Sequence, residues 1–532
     1  MLNAETALLL LLLIAALVGM AARRLNVPYT VALVLAGTAL GFFHIDTLSA
    51  LHLTPELLMA GFLPALLFEA AYHVDFAKFR KLAPAVLLLA LPGVLLAVTL
   101  TAFGSTYALQ ALGVEGFTLS HGFLFGSMIA ATDPISVLAL FKTSGVTKKL
   151  YLLVEGESLL NDGVAVVVFI IVAAVVGVST GHGHPPHLDG FQEIAVYGIQ
   201  TFAWMAVGGC VIGGMIGGAV SLLTRNIDDK LLETALTVVT AYGSFLMAEH
   251  FHASGVLSTV VAGVVLGSFG SSFGMQVQTR VAVVDFWEFM AFFSNTFVFL
   301  LVGLELDIPE LFAASGLVAA AFVVVVGARA ITVYSLLPLS RFTSSGAFPR
   351  SWSHVLVWGG LRGSLSMVLV MSLPAEFEGR RLLLVLIFGV VSLSLVLQAL
   401  TMKPLLAKLG LSSTRQVRLE YERARGQVWM AKAALADLER RGDALDPNIR
   451  ASFEDRYSAL LEQGRAAARE AAGDHLDAER LDEATLHLIR VQEEALGKAV
   501  TEGVVSQEAA ETLLEELAQE REKRVEHGVG EV

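Results

Sequence analysis

Long, uninterrupted apolar stretches restrict the possible folds of this sequence more than any other feature. The first, Thr6–Met20, is followed along the chain by about a dozen others. A run of about 20 apolar residues forms a helix that spans the hydrocarbon core of a bilayer. Hydrophobic residues make up 55% of the 532 residues and charged residues only 16%, which is little charge for a soluble surface. The sequence therefore predicts an all-α polytopic membrane protein.

The apolar stretches define thirteen predicted membrane spans. Arg23 and Arg24 follow the first apolar segment, whereas a cleaved signal peptide carries its positive charge before that segment. We therefore expect a retained first helix with its N-terminus outside. The predicted spans are 5–22, 27–43, 55–74, 84–110, 119–141, 150–178, 190–223, 231–250, 254–270, 285–304, 311–339, 352–373 and 381–406.

Lysine and arginine in the connecting segments set the orientation of the spans, because these residues concentrate in cytoplasmic loops. Every second loop carries them, whereas the opposite loops carry almost none apart from Arg380 and Arg381. An odd number of spans then places the C-terminus in the cytoplasm, and the compact loops favour a plasma membrane of the bacterial kind. The inner-loop residues are Arg23, Arg24, Lys78, Arg80, Lys81, Lys142, Lys148, Lys149, Arg225, Lys230, Arg280, Arg341 and Arg350.

A change of composition near Gly410 divides the chain into a predicted transmembrane domain, 1–409, and a predicted cytoplasmic tail, 410–532. The tail is rich in Arg, Glu, Ala and Leu, with apolar residues at helical spacing. It predicts helices within Tyr421–Arg441, Asn448–Glu470 and Leu481–Leu517. Two roles stay open for this helical domain: regulation or support of a dimer, or a solvated extension that only aids assembly.

Several functional classes lack support in the sequence. No basic patch is interleaved with aromatic residues, so no nucleic-acid partner is expected. The spans contain neither a nucleophile–base pair nor histidines at metal-ligand spacing, so we expect a transporter rather than an enzyme, and no cofactor. His182, His184 and His187 in a predicted outer loop could bind a metal ion. Since no cysteine or acidic cluster completes that site, we interpret the segment as a polar loop.

A proline interrupts the fifth span beside a carboxylate, within Ala130–Pro134. Proline removes a backbone donor and pushes the preceding residue out of helical geometry, so the helix should break at Asp133. Free carbonyls and half-helix ends at bilayer depth are how secondary transporters build cation sites. We interpret Thr132, Asp133 and Pro134 as part of such a site, with a proline kink of no function as the alternative.

A second polar cluster, Glu155–Gly163, lies early in the sixth span. Ser158 and Asp162 are four residues apart and share one helix face, and Glu157 and Asn161 share the adjacent face. A carboxylate with a hydroxyl one turn away offers hard oxygen ligands for an alkali cation. Because burial disfavours the charged carboxylate, a proton and a sodium ion would compete for Asp162. That competition is the minimum chemistry for exchange.

Three further charges lie inside apolar spans. Arg362, in the twelfth span, keeps its charge when buried and needs a partner. We expect a structural ion pair between Arg362 and Glu157, whose disruption on one side should be strongly destabilising. Arg329 is a second buried cation, for which the sequence suggests no partner. Glu69, late in the third span, is predicted to line an inner funnel or to bind the ion through water.

The two interrupted spans, the fifth and the twelfth, are seven spans apart and therefore run in opposite directions. Inverted-topology repeats with two interrupted helices crossing near the midplane have this property. The sequence thus predicts a fold of about thirteen transmembrane helices with inverted repeats and two crossing interrupted helices, followed by a cytoplasmic helical domain.

These polar segments resemble the sodium/proton exchanger family of the cation/proton antiporter superfamily. The resemblance extends over residues 5 to 405, and its specificity comes from several motifs in one order and spacing. The close matches are Ala131–Pro134, Glu157–Gly163 and Gly360–Gly363; the weaker ones are Phe68–Glu69, Ser254–Leu257 and Leu301–Leu304.

The resemblance implies a thirteen-helix fold, a homodimer, and an elevator-like movement of a core domain against a dimerisation domain. It implies that Asp162 binds the ion and the proton in turn. The residues that would complete or support the sodium site are Asp133, Ser158, Glu69 and, through its backbone, Thr132.

The resemblance also assigns structural roles. Asn161 would tie the sixth helix to the broken fifth through Thr132, and Glu157 with Arg362 would form the stabilising pair. Branches of the family with two adjacent aspartates at this point are usually electrogenic. Here Asn161 precedes Asp162, which resembles the electroneutral branch, and a single exchanging carboxylate favours one cation for one proton.

The leading hypothesis is an electroneutral Na⁺/H⁺ antiporter that works by alternating access and contributes to pH regulation, with Li⁺ as a further candidate substrate. A K⁺/H⁺ antiporter on the same fold is the alternative, because the sequence does not fix the dimensions of the site. A channel or a transporter-like sensor is a more distant alternative. The sequence shows no repeated filter motif and no rings of charge.

Overall fold

The computed structural model of the protein describes residues 2–25, 29–42, 57–178, 190–225, 227, 229–270, 277–304, 308–343, 345–411, 415–440, 450–467 and 496. The chain divides into two compact units, Met1–Ser412 and Ser413–Val532. The regular structure of the described residues is helical throughout. The predicted metal-binding alternative at His182, His184 and His187 lies outside these residues.

The first unit contains seventeen α-helices within the described residues. A π-helical turn, Leu57–Phe62, leads into α3, a second π-helical turn, Leu266–Gly270, follows α11, and a 3₁₀ turn, Leu337–Phe342, follows α14. The helices are α1 (Leu2–Leu25), α2 (Tyr29–Phe42), α3 (Leu63–Tyr72), α4 (Phe76–Ala90), α5 (Pro92–Ala111), α6 (Leu119–Ile129), α7 (Ile135–Ser144), α8 (Lys148–Val176), α9 (Phe191–Thr224), α10 (Lys230–His250), α11 (Gly255–Val265), α12 (Val277–Leu304), α13 (Ile308–Ala313), α14 (Ser315–Leu336), α15 (Arg350–Gly359), α16 (Ser364–Met371) and α17 (Arg380–Lys408).

Every predicted span coincides with one of these helices or with a consecutive pair. Among the described residues, seven helical segments are long and apolar enough to cross a membrane, and α15 with α16 forms an eighth that is bent by 43°. Shorter apolar helices occupy the other predicted spans. The chain is thus a multi-pass helical membrane protein, and the number of thirteen crossings stays a prediction.

Local capping interactions fix several helix ends. The Asp229 carboxylate accepts hydrogen bonds from the backbone amides of Leu231 and Leu232 at 2.8 and 3.1 Å, which starts α10. The Ser254 hydroxyl accepts from the Leu257 amide at 3.3 Å and starts α11. Both side chains satisfy amides that a helix leaves without an internal partner.

The helices of the first unit pack as two bundles. Bundle 1 consists of α1–α3 and α9–α12, and bundle 2 of α4–α8 and α14–α17. In bundle 1, α2 and α12 approach at Gly37 and Gly303. A Cβ on Gly37 would lie 2.1 Å from the Leu300 carbonyl oxygen, so the contact depends on small residues, as is common between membrane helices. In bundle 2, α8 is largely buried among its neighbours.

The second unit contains two described helices, α18 (Arg415–Arg440) and α19 (450–467). They pack together at Gly464, where a Cβ would lie 3.0 Å from Val428 Cγ2 and 3.3 Å from the Ala424 carbonyl oxygen. Both helices lie where the sequence predicts them. The predicted helix within Leu481–Leu517 falls outside the described residues except for Leu496.

Candidate ion-binding site

The predicted break in the fifth span is present, and it separates α6 from α7. The chain leaves helical structure after Ile129 and resumes it at Ile135. Pro134 supplies no backbone N–H, so α7 begins after it. The Asp133 N–H, which would otherwise point back into α6, donates to the Leu361 carbonyl at 2.8 Å. The break is therefore stabilised by a contact outside its own span.

The partner of this break is an interruption in the twelfth span, between α15 and α16. Residues 360–363 are not helical there, and Leu361 accepts the Asp133 amide from this segment. Gly363 lies directly against Asp133, because a Cβ on Gly363 would be 2.4 Å from Asp133 Cβ. Both spans are thus interrupted as predicted, and we call the contact between the two interruptions the crossing; inverted repeats stay a prediction.

Helix α8 contacts the broken fifth span through two polar side chains. The Ser158 hydroxyl donates to the Thr132 carbonyl at 2.5 Å. The Asn161 amide group donates to Thr132 Oγ1 at 2.9 Å and to the Ala130 carbonyl at 3.1 Å. The predicted tie from Asn161 to Thr132 is confirmed. Together these bonds hold the unwound segment against the face of α8 that carries Asp162.

Asp162 has one oxygen without a hydrogen-bond partner. Its Oδ1 is buried and unpaired among the described residues, as is Oδ1 of its neighbour Asn161. The Thr132 backbone amide and the carboxylates of Asp133 and Glu157 are neighbours of the Asp162 carboxylate. A buried polar atom without a partner costs free energy, so Asp162 Oδ1 lies where a cation or a proton would be stabilising.

Asp133 faces the same region from the start of α7. Its Oδ1 accepts the Ile135 amide at 3.0 Å, which satisfies one of the free amides at the start of that helix. Residues 124–132, in α6 and the break, are buried, whereas residues 133–136 are partly exposed. The region around Asp133 is therefore more accessible along α7 than along α6.

The predicted ion pair between Glu157 and Arg362 is wrong. Glu157 instead binds Arg329 of α14 in a bidentate pair, with oxygen–nitrogen distances of 2.8 and 2.9 Å. Both side chains are buried. Arg329 also donates to the Leu356 carbonyl. Glu157 thus neutralises Arg329, the buried cation for which the sequence suggested no partner.

Arg362 is satisfied by backbone carbonyls at the end of α6. Its Nη1 donates to Ile129, Ala130 and Ala131 oxygens at 2.5, 2.8 and 3.4 Å. The last carbonyls of a helix have no internal partners and carry partial negative charge, so a guanidinium is stabilised there. This is the physical reason for the wrong pairing: the interrupted helix itself supplies the acceptors that Arg362 needs.

Glu69 lies apart from the crossing. Its Oε1 is 3.5 Å from His73 Nδ1, and its charged neighbours include Lys142 and Glu288. No contact that the structure describes joins Glu69 to Asp133, Ser158 or Asp162. Glu69 belongs to bundle 1, whereas Asp162 belongs to bundle 2, so the predicted coordinating role for Glu69 would need water or a movement between bundles.

A small cavity with a mixed apolar and polar lining lies next to Arg362. Its volume is about 10 Å³, room for about one water molecule, and its lining includes Arg329, Arg362, Ser394 and Gln398. The Ser394 hydroxyl accepts the Arg362 backbone amide at 3.2 Å. The sequence analysis did not identify Ser394 or Gln398. Each is a polar residue within the last predicted span, and that was the only feature of the sequence that could have indicated them.

The chemistry of the crossing suits a small, hard cation. It offers carboxylate, hydroxyl and backbone oxygens, which alkali cations prefer to nitrogen or sulfur, by extension from other hard cations. Within the described residues, no group of three or more His, Cys, Asp or Glu side chains could hold a metal ion.

Two interrupted helices that cross beside a buried carboxylate define a polytopic helical protein built as secondary transporters are. A sequence model of the family described as sodium/hydrogen exchanger, transmembrane, matches residues 9–408. The chain belongs to the sodium/hydrogen exchanger family.

Individual relatives agree with this assignment. The Na⁺/H⁺ antiporter ApNhaP of Aphanothece halophytica is 40% identical over 399 residues, covering 74% of this chain and 72% of that protein. The Na⁺/H⁺ antiporter NhaG of Bacillus atrophaeus is 34% identical over 513 residues, covering 94% of each. The structure of the sodium proton antiporter MjNhaP1 from Methanocaldococcus jannaschii at pH 8 has a similar fold. Its TM-score is 0.60 at 18% identity, and the match covers 76% of this chain and 99% of that one.

Proposed function

We propose that this protein is an electroneutral Na⁺/H⁺ antiporter that works by alternating access, with sodium ion and proton competing for Asp162. Family membership and two relatives named as Na⁺/H⁺ antiporters support the exchange of these ions. Li⁺ is proposed as a further substrate, because it is a smaller cation of the same charge and ligand preference.

The observation that carries the proposal is the unpaired Oδ1 of Asp162 beside the unwound segment of the fifth span. A buried carboxylate oxygen without a donor is destabilising unless a cation or a proton accompanies it. One group that accepts either partner, but not both, couples the two movements. Binding of sodium requires release of the proton, and binding of the proton requires release of sodium.

The proposed ligands come from the unwound segment of the fifth span and from the helix that carries Asp162. Asp133 contributes its second carboxylate oxygen, since its Oδ1 already caps α7. The Ser158 hydroxyl donates its hydrogen bond to the Thr132 carbonyl, which leaves its oxygen lone pairs for a cation, and Thr132 contributes its backbone. Glu69 is proposed to act from bundle 1, through water, at a distance from the first ligands.

The proposal of electroneutral exchange rests on Asn161. An aspartate there would add a second titrating carboxylate next to Asp162, whereas the Asn161 amide is neutral and binds Thr132 and Ala130. A single titrating carboxylate favours one monovalent cation for one proton.

For alternating access, we propose that bundle 2 moves against bundle 1. The buried α6 and the partly exposed start of α7 support access to Asp133 from the α7 side, which the lysines and arginines of the loops assign to the cytoplasm. We further propose an outside N-terminus, a plasma-membrane location, a homodimer, and a cytoplasmic tail that supports the dimer or regulates exchange. Regulation of cell pH and sodium would be the physiological result.

Asp162→Asn tests the central claim in proteoliposomes, where a sodium gradient drives a change of internal pH. The variant keeps the size of the side chain but cannot exchange a proton, so we expect exchange to fall to the level of empty liposomes. Asp75→Asn is a suitable control, because Asp75 caps α4 at its exposed end. Retained exchange in Asp162→Asn would refute the role of Asp162. Parallel measurements with Na⁺, Li⁺ and K⁺ distinguish sodium from potassium exchange.

A further inference from the structure

The contact between Gly363 and Asp133 is closer than any side chain at position 363 would allow. A Cβ on Gly363 would lie 2.4 Å from Asp133 Cβ, 3.2 Å from Cγ and 3.1 Å from Oδ2. Carbon atoms that are not bonded pack at about 3.5–4.0 Å. The bare Cα of Gly363 therefore forms one wall of the space that the Asp133 side chain occupies.

Backbone conformation does not require glycine at this position. Gly363 has φ −117° and ψ −171°, in the broad extended region that all L-residues adopt. The requirement is therefore one of space, and the atoms that need the space belong to Asp133.

Two hydrogen bonds hold Asp133 next to Gly363. Its backbone N–H is held by the Leu361 carbonyl at 2.8 Å, two residues before Gly363 in the same segment. Its Oδ1 is held by the Ile135 amide at 3.0 Å. Because Cβ is fixed to the backbone, a methyl group at position 363 would force the backbone of residue 133 or 363 to shift. The Asp133 carboxylate and its second oxygen would move with it.

We infer that Gly363 is a specificity-determining residue that sets the position of the Asp133 carboxylate and, through it, which alkali cation fits beside Asp162. The inference rests on the proposed exchange function and assigns to Gly363 a positioning role, without contact to the ion. Cation selectivity depends on the dimensions and flexibility of the ligand cage. A shift of the Asp133 oxygen by a fraction of an ångström would change affinity for Li⁺ and Na⁺ by different factors.

The test compares Gly363→Ala with the matched control Gly359→Ala. A Cβ on Gly359 would meet the flexible end of Met402 at 3.3 Å and Val137 Cγ1 at 3.5 Å, so this control adds the same methyl group to the neighbouring helix end without touching Asp133. The measurements are KM and maximal rate for Na⁺ and Li⁺ in proteoliposomes. We expect Gly363→Ala to change the ratio of the two KM values by about threefold or more, and Gly359→Ala to leave it unchanged.

Asp133→Glu provides a second variant in case Gly363→Ala does not fold. Glutamate keeps the Cβ of residue 133 against Gly363 and moves only the carboxylate. This variant should therefore also change the ratio of the KM values for Na⁺ and Li⁺. An unchanged ratio in either folded variant, or an equal change in Gly359→Ala, overturns the inference. Wild-type protein that exchanges neither ion would instead refute the proposed function, so the two failures are distinguishable.

Discussion

Asn161 and Arg362 donate hydrogen bonds to the same carbonyl oxygen, that of Ala130, at 3.1 and 2.8 Å. Asn161 comes from α8, and Arg362 from the interruption between α15 and α16. One oxygen at the end of α6 thereby joins three parts of bundle 2. Because a carbonyl has two lone pairs, it can accept both bonds, and the junction holds the unwound segment in place.

Asn161→Ala should weaken this junction. The variant removes the bonds to Ala130 and Thr132, so we expect a loss of about 1–3 kcal/mol in the free energy of unfolding and a reduced exchange rate. Gln110→Ala is a matched control, since the Gln110 amide also donates to a carbonyl, that of Phe117, away from the crossing. Unfolding in detergent and exchange in liposomes measure the two effects. Wild-type stability and rate in Asn161→Ala would contradict the role of this junction.

The pair of Glu157 and Arg329 should be more important to stability than an exposed ion pair. Removing one buried charge leaves the other alone, so Arg329→Met should cost about 3–5 kcal/mol. Combining it with Glu157→Met should restore part of that loss. Arg381→Met serves as control, because Arg381 pairs with Glu310 at an exposed position, where about 0–1 kcal/mol is expected. A double variant no more stable than Arg329→Met would argue against a pair that acts as a unit.

The boundary between the bundles passes next to Asp162 at Gly163. A Cβ on Gly163 would lie 2.4 Å from Leu257 Cδ2 of α11, so Gly163→Ala should overpack the boundary by about 1–3 kcal/mol and slow exchange. Leu257→Ala in the same protein should restore the rate, because it removes the atoms in conflict. Gly218→Ala, where a Cβ would meet open space, should have little effect. If Leu257→Ala does not restore the exchange rate of Gly163→Ala, the defect does not come from this contact.

The proposed competition between sodium ion and proton at Asp162 predicts a specific dependence of exchange on pH. A cation that needs the deprotonated carboxylate binds more weakly as proton concentration rises. The KM for Na⁺ should therefore rise as pH falls, by up to about tenfold per pH unit once the proton dominates, while the maximal rate with saturating sodium changes less. Initial rates measured across pH and sodium concentration test this. A constant KM with a falling maximal rate would indicate protonation at another group.

The sequence was sufficient for features that depend on local chemistry. Apolar runs located the helices, because a span must satisfy its backbone internally. Pro134 indicated a break at Asp133, which lies within the gap between Ile129 and Ile135, and helical spacing placed Ser158 on the same face of α8 as Asp162. Each of these conclusions needs only neighbouring residues or the period of a helix.

The partner of Arg362 could not be predicted in the same way. The sequence shows that a buried guanidinium needs acceptors. Every residue carries a backbone carbonyl, however, so the sequence does not show which carbonyls will be the acceptors. Glu157 and Arg329 are 172 positions apart, and only the packing of α14 and α8 within the same bundle brings them together. Gly363 poses the same difficulty, because its importance lies in the atoms it lacks.

The ionisable side chains of the crossing give it a characteristic net charge. Asp133, Asp162 and Glu157 supply three carboxylates, and Arg329 and Arg362 supply two permanent positive charges. With all three carboxylates ionised, the empty site carries one negative charge, and one sodium ion or one proton makes it neutral. Under the proposed mechanism, both loaded forms would cross the bilayer without electrical work, whereas the empty form would be held back by the cost of exposing charge to lipid. Such a difference would suppress movement of the empty site across the bilayer. The fluxes of sodium and protons would then stay in a fixed ratio.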